Sequence, residues 1–178
     1  MTLIAAVRGA QGNAIIAGDS YLGEESATTH DLLASPKIVK VCGGRAWIGL
    51  AGDPSTFGAA IKVLSKLDLS KFDLRLSLRD HMVEHKVPQE GEDFSALLVY
   101  KREIWAIDDS WAAYKLLGDF TAAGVGRDYA MGMLSYASLT GALGRDPGRV
   151  LRKVMKSTSQ QVDGIRAPFD FSDAPVRI

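Results

Sequence analysis

Thr2-Leu3-Ile4-Ala5-Ala6-Val7-Arg8-Gly9 and, four residues later, Ala14-Ile15-Ile16-Ala17-Gly18-Asp19-Ser20 decide how this chain is read. Residues 3–7 form an apolar run stopped by Arg8-Gly9. Residues 14–17 form a second, stopped by Gly18-Asp19-Ser20. Residues 9–13 between them have hairpin-turn composition, so two antiparallel strands are predicted at the start of the chain.

The same logic carries outward. Residues 38–42 and 46–51 read as two more strands joined at Gly43-Gly44, while residues 24–33 read as a polar loop or short edge strands. The period then changes. Phe57, Ala60, Ile61, Leu64 and Leu67 recur at helical spacing, with Asp53 placed as N-cap and Pro54 at the first helical position. Leu74, Leu78, Met82 and His85 predict a second helix, stopped by Pro88 and Gly91. Strands resume over 94–100, 104–107, 111–114 and 120–125, with helices over 128–139 and 147–162 and a short strand in the tail 169–178. Strands, two helices, strands, two helices is the order of an α+β chain. Two antiparallel sheets flanked by helix pairs, a four-layer αββα sandwich, would bury every apolar stripe. A doubly wound parallel sheet needs strand and helix to alternate, which they do not. No linker or repeat marks a second domain, so residues 1–178 are expected to form one.

Composition narrows the function. Lys plus Arg and Asp plus Glu each total 21, so the formal charge is zero and a basic nucleic-acid-binding surface is not expected. No apolar run is long enough to span a bilayer, and the first residues lack the basic region of a signal peptide. Cys42 is the one cysteine; it lies in an apolar run and reads as a small buried hydrophobe. A cytoplasmic protein is expected, without cofactor or bound metal.

Chemistry gathers at the start of the chain. Removal of Met1 would make Thr2 the first residue, with a hydroxyl nucleophile and an α-amino base on one residue. An α-amine with a typical pKa of about 7.7–8.0 suits a base at neutral pH. Asp19 follows the second strand, Lys37 begins the third, and Gly52 ends the fourth.

These residues carry a resemblance. The blocks Thr2 to Arg8, Ala17-Gly18-Asp19-Ser20, Ser35-Pro36-Lys37-Ile38, Gly49-Leu50-Ala51-Gly52-Asp53 and Gly124-Val125-Gly126-Arg127-Asp128-Tyr129-Ala130-Met131-Gly132 occur in that order. The set resembles the proteasome β-subunit and HslV family of N-terminal nucleophile hydrolases, as a divergent member. The resemblance implies the same four-layer fold. It implies Thr2 as nucleophile, Lys37 beside its hydroxyl, Asp19 paired with Lys37, and the Gly52 N–H as oxyanion donor. Leu50, with Leu22, is implied at the substrate pocket. A threonine-type peptidase acting on peptides or unfolded proteins follows. The implied assembly is a homo-oligomeric double ring of six or seven subunits, working with an ATP-driven unfoldase.

Four positions depart from the family pattern. Arg127 stands where proteolytic members carry a serine that holds the N-terminal amine. Gln160 and Asp163 stand where an Asp and a Ser are usual, and Tyr21 replaces a frequent arginine. The alternative reading is therefore a ring protein that keeps the fold without turnover.

Two further patterns compete. His81-Met82-Val83-Glu84-His85 matches an inverted zinc-peptidase motif, but the remaining histidine, His30, lies in a polar loop and does not complete a site. Gly124-x-Gly126 follows a strand and precedes a helix, yet lacks the third glycine of a dinucleotide fingerprint.

Overall fold

The computed structural model of the protein describes residues 2–9, 14–22, 31–32, 37–52, 54–88 and 94–172. Strands β1 (Leu3–Arg8) and β2 (Ala14–Asp19) pair antiparallel, with Ile4 opposite Gly18 and Arg8 opposite Ala14. β10 (Phe120–Gly124) and β11 (Phe169–Phe171) flank them in a four-stranded sheet ordered β10-β1-β2-β11. A five-stranded antiparallel sheet runs in chain order through β5 (Ile38–Val41), β6 (Ala46–Ala51), β7 (Ser95–Tyr100), β8 (Glu103–Ile107) and β9 (Ala113–Lys115). The short strands β3 (Tyr21–Leu22) and β4 (Asp31–Leu32) pair with each other.

Alternation along each strand sorts the core into three layers. Leu3, Ala5 and Val7 face α3 (Arg127–Leu139) and α5 (Pro147–Gln161), where they meet Leu134, Leu151 and Met155. Ile4 and Ala6 face the other way, onto Ile38, Leu97 and Val99 of the second sheet. The outer face of that sheet presents Ile48, Leu50 and Leu98 to Leu64 of α1 (Pro54–Leu64) and to Leu78 and Met82 of α2 (Leu74–Glu84). The expected four layers are present. The sheets approach closely at Gly49, where an added Cβ would stand 2.6 Å from Ile4 Cγ2 and 2.7 Å from Ile38 Cδ1.

Differences from the sequence reading are local. Residues 111 and 112 do not begin β9. The Asp108 carboxylate accepts the amide hydrogens of Ser110 and Ala112, each at 3.0 Å, and this turn holds Trp111 at φ 64°. The Trp111 ring is fully buried, and its indole N–H donates to the Pro88 carbonyl at 3.1 Å. A helical turn, α4 (Ala142–Arg145), follows Gly141 in the left-handed region; it is too short to leave a periodic signal. Pro54 opens α1 as expected, while Asp53, its expected N-cap, lies outside the described residues, as do residues 10–13, 23–30 and 173–178.

Candidate active site

Thr2 precedes β1 in one sheet and Lys37 precedes β5 in the other, so the two residues meet where the sheets face each other. Thr2, Asp19 and Lys37 are all buried, Asp19 completely. The Lys37 ammonium donates to Thr2 Oγ1 at 2.9 Å and to the two Asp19 carboxylate oxygens at 3.3 and 3.2 Å. Asp19 Oδ1 also accepts the Leu3 amide hydrogen at 2.7 Å. One carboxylate thus fixes the lysine and the backbone beside Thr2 together.

Burial dominates the electrostatics of the pair. Desolvation pushes the Lys37 ammonium below its ordinary value, against the opposing pull of the Asp19 charge. It likewise pushes the Asp19 carboxyl up, against Lys37 and the Leu3 N–H. A lysine shifted this way gives up a proton more readily than one in water, and its N–H stabilises negative charge developing on the threonine oxygen.

Glycines shape the surroundings. Gly124 has φ 87°, and a Cβ there would lie 2.1 Å from the Thr2 carbonyl oxygen. A Cβ on Gly126 would come within 2.4 Å of Ile165 and 2.9 Å of Thr158. The Gly124-x-Gly126 turn thus packs on the start of β1. Gly52 is exposed just past β6, at φ 138°. Ile38 pairs with Gly49, so Lys37 and Gly52 lie toward the same end of that sheet. Leu50 is buried on the face of β6 turned to α1, and Leu22 lies in β3.

Sequence reading missed the tie at the far side of Asp19. The neighbouring Ser20 hydroxyl donates to Asp170 of β11 at 2.6 Å, and its amide donates to the Pro168 carbonyl at 3.0 Å. The partners are about 150 residues apart, so no local pattern could have indicated them. Arg127, Gln160 and Asp163, the positions that depart from the family pattern, are exposed. Tyr21 lies in β3, and His30 lies outside the described residues. Cys42 is buried, and burial pushes its thiol up to about 11, against the opposing charge of Arg45.

No family model matches the sequence, and a search of curated proteins finds no match. Solved structures match over nearly the whole chain. The eukaryotic HslV of Trypanosoma brucei is 16% identical with a TM-score of 0.73, covering 96% of this chain and 97% of its own. The Thiobacillus denitrificans protein BPH in complex with epoxomicin is 19% identical with a TM-score of 0.70, covering 95% of this chain and 96% of its own. The same BPH in a second structure is 18% identical with a TM-score of 0.68, covering 95% of each chain. The fold is therefore that of HslV and its structural relatives. Among the described residues, no helix is long and apolar enough to cross a membrane.

Proposed function

We infer that this chain is a threonine-type peptidase subunit, with Thr2 as nucleophile once Met1 is removed. The observation that carries the reading is the 2.9 Å hydrogen bond from Lys37 to Thr2 Oγ1, held in place by Asp19. Thr2 Oγ1 attacks the peptide carbonyl carbon, and its proton passes to the freed α-amine. The carbonyl oxygen takes up the negative charge and accepts the Gly52 N–H. Collapse breaks the C–N bond, and the leaving amine takes the proton from the α-ammonium. Water, deprotonated by the same amine, then attacks the Thr2 ester and regenerates the hydroxyl. Leu22 and Leu50 are assigned to the substrate pocket through the family resemblance, favouring an apolar side chain.

The subunit works as a homo-oligomeric double ring of six or seven copies in the cytoplasm, fed with peptides or unfolded protein by an ATP-driven unfoldase. Supporting self-assembly, Tyr129, Tyr136 and Leu139 are exposed along α3, apolar surface that a neighbouring copy would cover.

Intact mass before and after a β-lactone or epoxomicin tests the reading. Loss of Met1 and a single adduct, absent in Thr2→Ala, is expected. Retained Met1, or a free Thr2 that takes no adduct, overturns the peptidase in favour of a ring protein without turnover. Native mass of the same samples reads the assembly, which Thr2→Ala leaves intact.

A further inference from the structure

A second cluster of chemistry-bearing groups lies on the opposite face of the five-stranded sheet, in the helix layer. His81 and Glu84 occupy the last turn of α2, and His85 is its C-cap. One donor atom from each of the three comes within 4.8 Å of the others. Positions i, i+3 and i+4 share a helix face, so this convergence is built into the helix rather than into a mobile loop. The His81 and His85 rings lie 4.2 Å apart between centroids. His81 is half-buried and meets the Phe72 ring edge-on at 5.3 Å, which fixes its direction.

His85 is oriented as a metal-ligating histidine is. Its Nδ1 lies 2.9 Å from the His81 carbonyl oxygen. A carbonyl only accepts, so Nδ1 carries the hydrogen and Nε2 keeps its lone pair free for a ligand. The site also sits at the carbonyl end of α2, where the helix dipole favours a cation.

We propose that His81, Glu84 and His85 bind a zinc-class divalent cation at the end of α2. Two imidazoles and a carboxylate are the donor set of zinc, nickel or copper(II) rather than magnesium or calcium. Ligand atoms around such an ion lie about 3–3.5 Å apart at bonds of about 2.1 Å. Small rotations of the exposed Glu84 and His85 side chains close the remaining gap. His81 and His85 line a cavity of about 440 Å³ shared with Lys62, Lys66 and Val87, which leaves room for water as a further ligand. Lys62 and Lys66 oppose the ion's charge, so the carboxylate of Glu84 is needed as much as the imidazoles. Glu84 serves here as a ligand, which leaves no base for hydrolysis. The site staples the last turn of α2 and is independent of Thr2.

Zinc chloride alone, titrated calorimetrically into the chelator-treated full chain, tests this. One zinc per chain is expected, with thermal stabilisation on binding. His81→Ala and His85→Ala should each weaken binding about tenfold or more, and Glu84→Gln should do so as well. His30→Ala should bind as the parent does. Far-UV dichroism checks that each variant folds; His85 and Glu84 are exposed, so at least those substitutions are tolerated. No binding, binding unchanged in His85→Ala and Glu84→Gln, or binding lost in His30→Ala overturns the proposal.

Discussion

The Asp19 carboxylate accepts the amide hydrogen of Leu3 at 2.7 Å while it holds Lys37. Both ties depend on one buried side chain, and different substitutions separate them. Asp19→Ala removes the acceptor of the buried Leu3 N–H and the countercharge of the buried Lys37 ammonium. It should cost about 3–5 kcal/mol in denaturant unfolding and abolish turnover. Asp19→Asn retains an acceptor oxygen for Leu3. It should recover only the part of the stability owed to the Leu3 N–H, and still lose activity on a fluorogenic peptide by at least about tenfold.

Removing the lysine exposes the other half of the pair. In Lys37→Met the Asp19 carboxyl loses its chief source of charge stabilisation, so its already raised value rises further. A carboxyl raised in the folded state contributes stability below its ordinary value of 3.8 and loses it as pH climbs through the folded value. Lys37→Met should therefore be about 3 kcal/mol less stable than the parent near pH 7, with the deficit shrinking towards pH 4. Urea unfolding of both proteins across that range checks the sign. A deficit that grows on acidification would contradict it.

Gly124→Ala places a methyl group 2.1 Å from the Thr2 carbonyl oxygen at a residue with φ 87°. Neither atom belongs to a flexible side chain, so β1 must shift away from β10 or the pair must open. We expect a loss of stability above about 2 kcal/mol and loss of the Thr2 adduct with a β-lactone. Gly58→Ala, where a Cβ meets nothing within 4 Å, is the matched control and should react as the parent does.

The Cys42 thiol, pushed up to about 11 in a fully buried position, should resist alkylation. Iodoacetamide near pH 8, followed by mass measurement, should leave the native protein unlabelled and add one group in denaturant.

How much of this was legible in the sequence depends on the range of the interaction. β1, β2, β6 and α2 follow from runs and periods contained within a dozen residues, and Gly43-Gly44 marked its turn. Thr2, Asp19 and Lys37 follow from the family resemblance that the ordered sequence blocks carry, and the structure brings the three together. Trp111 was misplaced because an apolar aromatic beside a strand looks like part of it. The Asp108 side chain that bends the backbone there leaves only a weak turn signal. The Ser20–Asp170 bond was invisible, since it joins strands whose adjacency exists only after folding. The acceptor for the Leu3 N–H was hidden in the same way: sequence names Asp19 but not the second task it performs.

The close approach at Gly49 has a consequence for how this protein can change over time. The threonine hangs from one sheet and its lysine from the other, and Ile4 and Ile38, the residues a Cβ at Gly49 would strike, each lie within two positions of them. A methyl group at Gly49 would act as a wedge between the sheets that carry Lys37 and Thr2, whose side chains meet at 2.9 Å. Drift at position 49 is therefore limited by how the two sheets pack, whatever happens at the site itself.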